Sequence, residues 1–195
     1  MLVVVDKPAG MLSVPGRGGD KADCAARRVQ ALFPDALVVH RLDMATSGLL
    51  ALARGLPAQR RLGIAFARRE VRKRYVAVVH GCLAEAEGEI DLPLGADWPA
   101  RPRQKVDAAG GKPSLTRWRR LSVDAAAGTS RVELEPVTGR SHQLRVHLLA
   151  IGHPIVGDAL YGGPAHARLL LHAEALAFAH PASGVEVSLR SEAPF

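Results

Sequence analysis

The sequence predicts an α+β fold: a mixed, mainly antiparallel central sheet with flanking helices. Nine short apolar runs have the length and turn-residue boundaries of strands, whereas only three segments have helical spacing. A chain of 195 residues, 48% of them hydrophobic, can bury a substantial core. Neither an internal repeat nor a low-complexity linker divides it, so we predict one domain over residues 1–195.

The predicted strands are short runs rich in Val and Leu, separated by Gly, Pro and polar residues. They cover residues 2–5, 37–39, 49–53, 75–79, 89–92, 115–121, 131–136, 169–178 and 185–189. The small residues at 125–128 predict an exposed turn between two of these strands.

Three helices are predicted from apolar spacing and from capping residues. The first follows Asp20 as its cap and ends before Pro34. The residues expected on its apolar face are Ala25, Val29, Leu32 and Phe33. The second, over residues 58–70, would carry its arginines outward and turn inward Leu62, Ala65 and Phe66.

The third predicted helix runs over residues 141–151. Ser141 is expected to cap this helix, and Gly152 is expected to stop it. One of its faces would carry His142, Arg145 and Leu149.

The charge balance favours a polyanionic partner. The chain has 26 Lys and Arg against 19 Asp and Glu, a formal net charge of +7, and several of its arginines cluster within residues 60–74 and 101–105. A generally basic protein with solvated charged faces would have the same balance. The cysteines, Cys24 and Cys82, have neither metal-site spacing nor disulfide density, and no signal or spanning segment is seen, so we expect reduced thiols and a cytoplasmic protein.

Residues 40–50 contain one carboxylate, Asp43, among hydroxyls and a glycine between two predicted strands. Loops held by rigid elements often carry catalytic groups. The turn of Thr46, Ser47 and Gly48 can fix a carboxylate or approach a ligand closely. An Asp in such a loop can also simply cap its own turn, and local chemistry alone favours that structural role.

Five segments, in order along nearly the whole chain, resemble the RluA family of pseudouridine synthases. His-Arg-Leu-Asp followed by Thr-Ser-Gly-Leu-Leu, within residues 40–50, resembles the family's active-site motif. The other four segments are residues 6–16, 73–81, 136–162 and 171–181. Residues 96–105 are most similar to the branch whose members modify both tRNA and 23S rRNA.

The resemblance implies a catalytic cleft across the sheet and three catalytic residues. Asp43 takes the position of the family's catalytic Asp. Arg145 would pair with Asp43 and keep it ionised, although an exposed arginine or a phosphate contact is the alternative. Tyr75 would stack on the target uracil and serve in proton transfer at C5; without the resemblance it would be interpreted as a core aromatic of a strand.

The reaction requires the uridine to leave its helix, since neither C1′ nor the base can be handled inside a stack. Arg41 would enter the vacated space, with a structural ion pair as its alternative. Arg140, a loop arginine, suits an RNA phosphate. The other expected substrate contacts are Thr46 and His142. No cofactor or metal is needed, and we expect an RNA partner, tRNA, 23S rRNA or both, and a monomeric enzyme that does not bind membranes.

Two other classes of function are less favoured. A metal-dependent hydrolase would need clustered ligands, but His142, His147 and His153 are spaced five and six residues apart and no His-Glu-x-x-His pattern exists. A non-catalytic RNA-binding protein would not need a carboxylate that repels phosphate. Family members usually carry a further segment and strand ahead of the position of Met1, so we expect either a truncated or misassigned start or a differently built sheet edge. Some relatives also carry a separate N-terminal S4 RNA-binding domain; without one, we expect RNA binding by the catalytic domain itself.

Overall fold

A computed structural model describes residues 1–16 and 22–195 of the chain. The predicted cap Asp20 lies outside the described residues. The strands are β1 (Leu2–Lys7), β2 (Ala36–Val38), β3 (Ser47–Arg54), β4 (Arg72–His80), β5 (Glu87–Asp91), β6 (Leu94–Ala96), β7 (Gln104–Val106), β8 (Leu115–Asp124), β9 (Thr129–Pro136), β10 (Leu171–Ala179) and β11 (Glu186–Arg190). The helices are α1 (Ala25–Leu32), α2 (Leu56–Ala67) and α3 (Gln143–Ala150).

The described chain forms two compact units. The first comprises residues 1–73 and 172–194, and the second comprises residues 74–171 and 195. That the whole chain acts as one domain stays a prediction. None of the helices in the described ranges is long and apolar enough to cross a membrane.

The first unit is organised around β3, a strand buried along nearly its whole length. β1 pairs with it antiparallel from Leu2 opposite Ala53 to Lys7 opposite Gly48. β10 joins parallel at His172 and Ala173, and β2 and β11 pair antiparallel with β3 and β10. The continuous apolar sequence of β3 follows from this position, because a strand with sheet neighbours and covered faces has little contact with water.

Both helices of this unit are amphipathic. α2 buries Leu62 in a core with β3 and β10 and packs Ala65 and Phe66 against that core, as predicted. α1 begins after Cys24, whose Sγ accepts a hydrogen bond from the Arg27 amide. The prediction for Leu32 is wrong, because this side chain is 76% exposed in the last turn of α1.

The second unit contains an antiparallel sheet in the order β4, β9, β8, β5. Val76 and Ala77 on β4 and Val132 and Leu134 on β9 are buried. β6 and β7 form a separate two-stranded hairpin, which the sequence did not predict. α3 contacts β7, β8 and β9.

α3 begins two residues later than predicted. His142 is its N-terminal flanking residue, with φ 55°, and Ser141 precedes the helix in a turn, so Ser141 is not its cap. His142 therefore does not lie on a helical face with Arg145. The predicted stop is confirmed, because Gly152 follows the helix with φ 84°, a conformation that glycine adopts without a steric penalty.

Candidate active site

Asp43 lies on the loop that connects β2 to β3 in the first unit, as predicted. Its side chain is partly buried, between the exposed Arg41 and Met44 and next to the buried Leu42. The loop thus leaves the carboxylate partly accessible while the adjacent apolar residue is anchored in the core.

Ser13 fixes the residue before Asp43. Its buried Oγ donates to the Leu42 carbonyl at 2.7 Å and accepts from the Leu42 amide at 3.0 Å. One hydroxyl therefore satisfies both backbone groups of Leu42, which are not paired by a strand. The sequence did not single out Ser13 for this role, because the contact joins residues 29 positions apart.

Lys7 fixes the residue after Asp43. Its side chain is 1% exposed, and Nζ donates to the carbonyls of Pro8, Met11 and Met44 at 3.0, 2.8 and 3.1 Å. The Gly10 amide also donates to the Met44 carbonyl, at 2.9 Å. A buried ammonium is stable only where its donors are satisfied, so this network holds the loop in one conformation.

Small and polar residues fix the end of the loop where it enters β3. The amide of Thr46, which is buried, donates to the Asp43 carbonyl at 3.1 Å, and Ser47 Oγ lies 2.8 Å from His172 Nδ1. Gly48 follows with φ 111°, and a Cβ there would lie 2.4 Å from the Ala173 carbonyl oxygen. Only glycine allows β10 to approach this closely.

His40 supports the start of the loop. The Ala51 amide donates to His40 Nε2 at 2.9 Å, and the imidazole stacks on Phe66 with ring centroids 4.7 Å apart. Burial, together with the nearby Lys73 ammonium, lowers the pKa of His40 to about 4. The ring is therefore neutral at pH 7, with its proton on Nδ1, and it serves as an acceptor in the fold.

In the second unit, Arg145 is held by a buried carboxylate. Its Nε and Nη2 donate to the two oxygens of Asp158, both at 2.7 Å. The side chains are 7% and 1% exposed. This bidentate geometry orients the guanidinium, and the low exposure makes the pair sensitive to loss of either partner.

Tyr161 joins three parts of the second unit. Its buried hydroxyl accepts from the Gln104 amide at 2.8 Å and lies 2.7 Å from His142 Nδ1. The Arg145 guanidinium lies 4.9 Å from the centre of its ring. Tyr161 thus brings His142 and Arg145 into one side-chain cluster.

Arg140 is exposed, and its position is set by its neighbour Gln143. The Oε1 atom of Gln143 accepts from the Arg140 amide at 3.0 Å and from Thr138 Oγ1 at 2.7 Å, while its Nε2 donates to the Leu115 carbonyl at 2.9 Å. Arg140 Nε donates to the Pro113 carbonyl at 3.3 Å. The backbone before α3 is fixed, and the arginine charge stays at the surface.

Tyr75 lies on β4 opposite Leu134 of β9, and its side chain is partly exposed. It is therefore not a fully buried core aromatic. Of the predicted site residues, Arg41, Asp43 and Thr46 share one loop of the first unit, and Tyr75, Arg140, His142 and Arg145 lie in the second.

The three histidines weighed as metal ligands each have a partner within the protein. His142 contacts Tyr161, His153 Nδ1 lies 2.8 Å from the His80 carbonyl oxygen, and His147 lies 2.9 Å from Thr116 Oγ1 and 3.0 Å from the Leu92 carbonyl oxygen. Burial lowers the pKa of His147. Within residues 1–16 and 22–195, no three His, Cys, Asp or Glu side chains are grouped as metal ligands would be.

The residues that the sequence analysis did not assign are chiefly partners of assigned ones. Asp158 and Tyr161 fall within the motif segment 136–162, but the sequence alone assigns neither of them a role. One sequence signal could have identified Asp158. A buried arginine on a helix needs an anionic partner, and Asp158 is an acidic residue that follows the helix closely.

Comparison with known proteins gives one consistent result. A family model described as RNA pseudouridylate synthase matches residues 1–150. The dual-specificity RNA pseudouridine synthase RluA of Escherichia coli (strain K12) is 51% identical over 198 residues, covering 100% of this chain and 90% of that protein. The protein of the same name from Yersinia pestis is 50% identical, covering 100% and 96%.

Two solved structures are similar to this one over almost the whole chain. Human RNA pseudouridylate synthase domain containing 1 has a TM-score of 0.82 at 31% identity, covering 100% of this chain and 80% of that chain. Human RNA pseudouridylate synthase domain containing 4 has a TM-score of 0.77 at 25% identity, covering 99% and 85%. The predicted α+β fold is confirmed.

Proposed function

The chain belongs to the RNA pseudouridylate synthase family, and on that premise we propose how its own residues carry the reaction. It is an isomerase that converts uridine to pseudouridine in RNA. The observation that carries this conclusion is the 51% identity to a curated RNA pseudouridine synthase over the full length of the chain. The proposal concerns the residues that act and the RNA that is modified.

The reaction moves one glycosidic bond within a single nucleotide. The bond between C1′ and N1 breaks, the uracil turns over, and C1′ bonds to C5; the hydrogen on C5 leaves and N1 gains one, so no redox partner is required. A carboxylate can act here as a nucleophile or as a base, the roles that carboxylates take in glycoside cleavage. Asp43 is the proposed carboxylate, and its support is the loop that Ser13 and Lys7 hold on either side of it.

Arg145 and Tyr75 are the other proposed catalytic residues. The bidentate bond to Asp158 fixes the guanidinium of Arg145, so that its charge is available in a defined orientation to keep Asp43 ionised. The partial exposure of Tyr75 on β4 suits a ring that stacks on the uracil and a hydroxyl that moves the C5 proton.

The proposed RNA contacts are Arg41, Thr46, Arg140 and His142. Arg41 is exposed two residues before Asp43, so it can occupy the space that the extruded uridine leaves. Arg140 is exposed with its backbone fixed, as a phosphate contact requires. Thr46 lies in the same loop as Arg41, and His142 lies in the same segment before α3 as Arg140.

We infer the substrate class from the dual-specificity name of the curated relatives. The proposed substrates are the anticodon stem-loop of tRNA and a hairpin of 23S rRNA, and these RNAs imply that the enzyme acts in the cytoplasm. A net charge of +7 is consistent with attraction to either RNA. We propose that a monomer suffices.

The test is release of tritium from an anticodon stem-loop RNA labelled at C5 of its uridines. Wild type releases tritium, and Asp43→Asn binds the RNA with unchanged affinity but releases none. Asp35→Asn, which removes an exposed carboxylate paired with Arg54 before β2, is the matched control and keeps wild-type turnover. Turnover by Asp43→Asn at the wild-type rate would contradict the role of Asp43.

A further inference from the structure

Trp98 is an exposed tryptophan on the loop that joins β6 to β7. Its side chain is 68% exposed, whereas Trp118, the other tryptophan of the chain, is 8% exposed. Large aromatic rings are usually buried in a core or used at a contact surface. None of the catalytic or RNA-binding roles proposed above accounts for this ring.

The loop that carries Trp98 has a defined backbone. The Asp97 amide donates to the Arg103 carbonyl at 3.0 Å, and the Arg103 amide donates to the Ala100 carbonyl at 3.0 Å. The Ala100 amide donates to the Asp97 carbonyl at 3.1 Å. The ring is thus presented from an ordered turn, which lowers the entropy that a ligand must remove on binding.

Arg101 covers one face of the Trp98 ring. Its guanidinium carbon lies 3.4 Å from the ring centre, within stacking contact. One guanidinium cannot cover both faces, and the high exposure of the residue places the opposite face in solvent. A flat ring with one face supported by a cation and the other open is suited to stacking on a nucleobase.

The charge of the loop selects the same kind of ligand. Residues 97–105 carry three cationic side chains, Arg101, Arg103 and Lys105, against one carboxylate, Asp97. Among the described residues, no carboxylate forms an ion pair with any of the three cations. Arg101 and Lys105 are exposed, so their charges are available to phosphate groups on either side of a stacked base.

The hairpin is connected to the side-chain cluster around Arg145. The Gln104 amide, at the start of β7, donates to the Tyr161 hydroxyl, and the Tyr161 ring contacts the Arg145 guanidinium. Arg103 also lies 5.5 Å from the centre of the Tyr161 ring. RNA held at Trp98 would thus be bound next to a proposed catalytic residue.

We propose that Trp98 and Arg101 form a stacking site for an unpaired nucleobase of the substrate RNA, distinct from the uridine that is isomerised. The open face of the indole takes the base, and the exposed cations of Arg101 and Lys105 take the adjacent phosphates. The inference rests on the proposed RNA substrate, and it makes this hairpin a determinant of which stem-loops are accepted.

Kinetics of four variants test the site with an anticodon stem-loop RNA. Trp98→Leu should raise KM roughly tenfold or more with kcat unchanged, since it keeps an apolar side chain but loses the ring. Trp98→Phe should stay within about threefold of the wild-type KM, and Arg101→Gln should raise it and reduce its salt dependence. Leu121→Ala, at an exposed apolar side chain of β8, is the control with wild-type constants. A wild-type KM for Trp98→Leu, or equal losses in Trp98→Leu and Trp98→Phe, overturns the proposal.

Fluorescence of Trp98 tests the contact without turnover. In an Asp43→Asn, Trp118→Phe double variant, Trp98 is the single tryptophan, and stacking on a base should quench its emission saturably as RNA is added. An RNA that lacks the base stacked on Trp98, because that loop nucleotide is abasic, should not quench the emission. With this abasic RNA, Trp98→Leu should have the same KM as the wild-type protein. Unquenched emission with RNA fully bound overturns the stacking site. Failure of wild type to modify any RNA would instead overturn the proposed function, since quenching does not depend on turnover.

Discussion

Replacing Asp158 by Asn should destabilise the protein by about 3–5 kcal/mol, the usual cost of removing one partner of a buried ion pair. Asp158 is 1% exposed and accepts two hydrogen bonds of 2.7 Å from Arg145. It also accepts from the amides of Leu160 and Tyr161, both at 3.2 Å. Asn keeps the shape of the side chain but presents an amide donor to a guanidinium that is itself only a donor, so the buried Arg145 guanidinium loses the carboxylate that accepts two of its hydrogen bonds.

The assay is equilibrium denaturation followed by the fluorescence of Trp118, which is buried in the same unit. The control is Glu89→Gln, which breaks the pair between Glu89 and Arg117 at 2.8 Å; with side chains 55% and 54% exposed, this change should leave stability close to wild type. A second variant, Arg145→Met with Asp158→Asn, removes both charges, keeps a side-chain oxygen for the amides of Leu160 and Tyr161, and should recover part of the lost stability. If Asp158→Asn is no more destabilising than Glu89→Gln, burial does not govern the strength of the pair between Arg145 and Asp158.

Three further predictions concern the Asp43 loop and its supports. Gly48→Ala should lower the free energy of unfolding by about 3 kcal/mol or more, because a Cβ at this positive φ also clashes with the Ala173 backbone. Gly10 also has a positive φ but open space around it, so Gly10→Ala should lower the free energy of unfolding by only about 1 kcal/mol. Equal losses of stability in denaturation would contradict the clash at Gly48. Ser13→Ala leaves the amide and the carbonyl of Leu42 without their hydrogen-bond partner and should lower the free energy of unfolding by about 1–3 kcal/mol. Because Leu42 precedes Asp43, this change should also affect kcat more strongly than KM. Ser183→Ala, at an exposed serine, should change neither stability nor kcat. The pKa of His40 is about 4 in the folded state and about 6.5 in the unfolded state, so the unfolded state binds more protons between pH 4 and pH 6.5. The free energy of unfolding should therefore fall by about 3 kcal/mol from pH 6.5 to pH 4. His40→Asn lacks this titrating group and should show a shallower fall over the same pH range.

The secondary-structure elements and the position of the Asp43 loop were predictable wherever neighbouring residues form a clear local pattern. The apolar run of β3 and the periodic burial of α2 at Leu62 can be read from neighbouring residues alone. Leu32 was misassigned because helical spacing from Val29 favours burial, whereas the structure leaves the Leu32 side chain 76% exposed in the last turn of α1. β6 and β7 were missed because each has only three residues, and Gly95 interrupts the apolar pattern.

The partners of the site residues were not predictable from local sequence. Lys7 and Met44 are 37 positions apart, and only the pairing of β1 with β3 brings them together. The start of α3 was misplaced because a Ser before an apolar run is a common cap, whereas the backbone here turns through His142 at positive φ. Arg145 was identified by resemblance, but its bond to Asp158 depends on the fold of the second unit.

The role of Asp43 in the isomerisation can be tested by mapping pseudouridines in tRNA and 23S rRNA from cells that lack this protein, complemented with wild type or with Asp43→Asn. We expect pseudouridine to disappear from an anticodon-loop uridine and an rRNA hairpin uridine, to return with wild type, and to stay absent with Asp43→Asn expressed at the same level. Restoration of the modification by Asp43→Asn would show that this carboxylate is not required for the isomerisation.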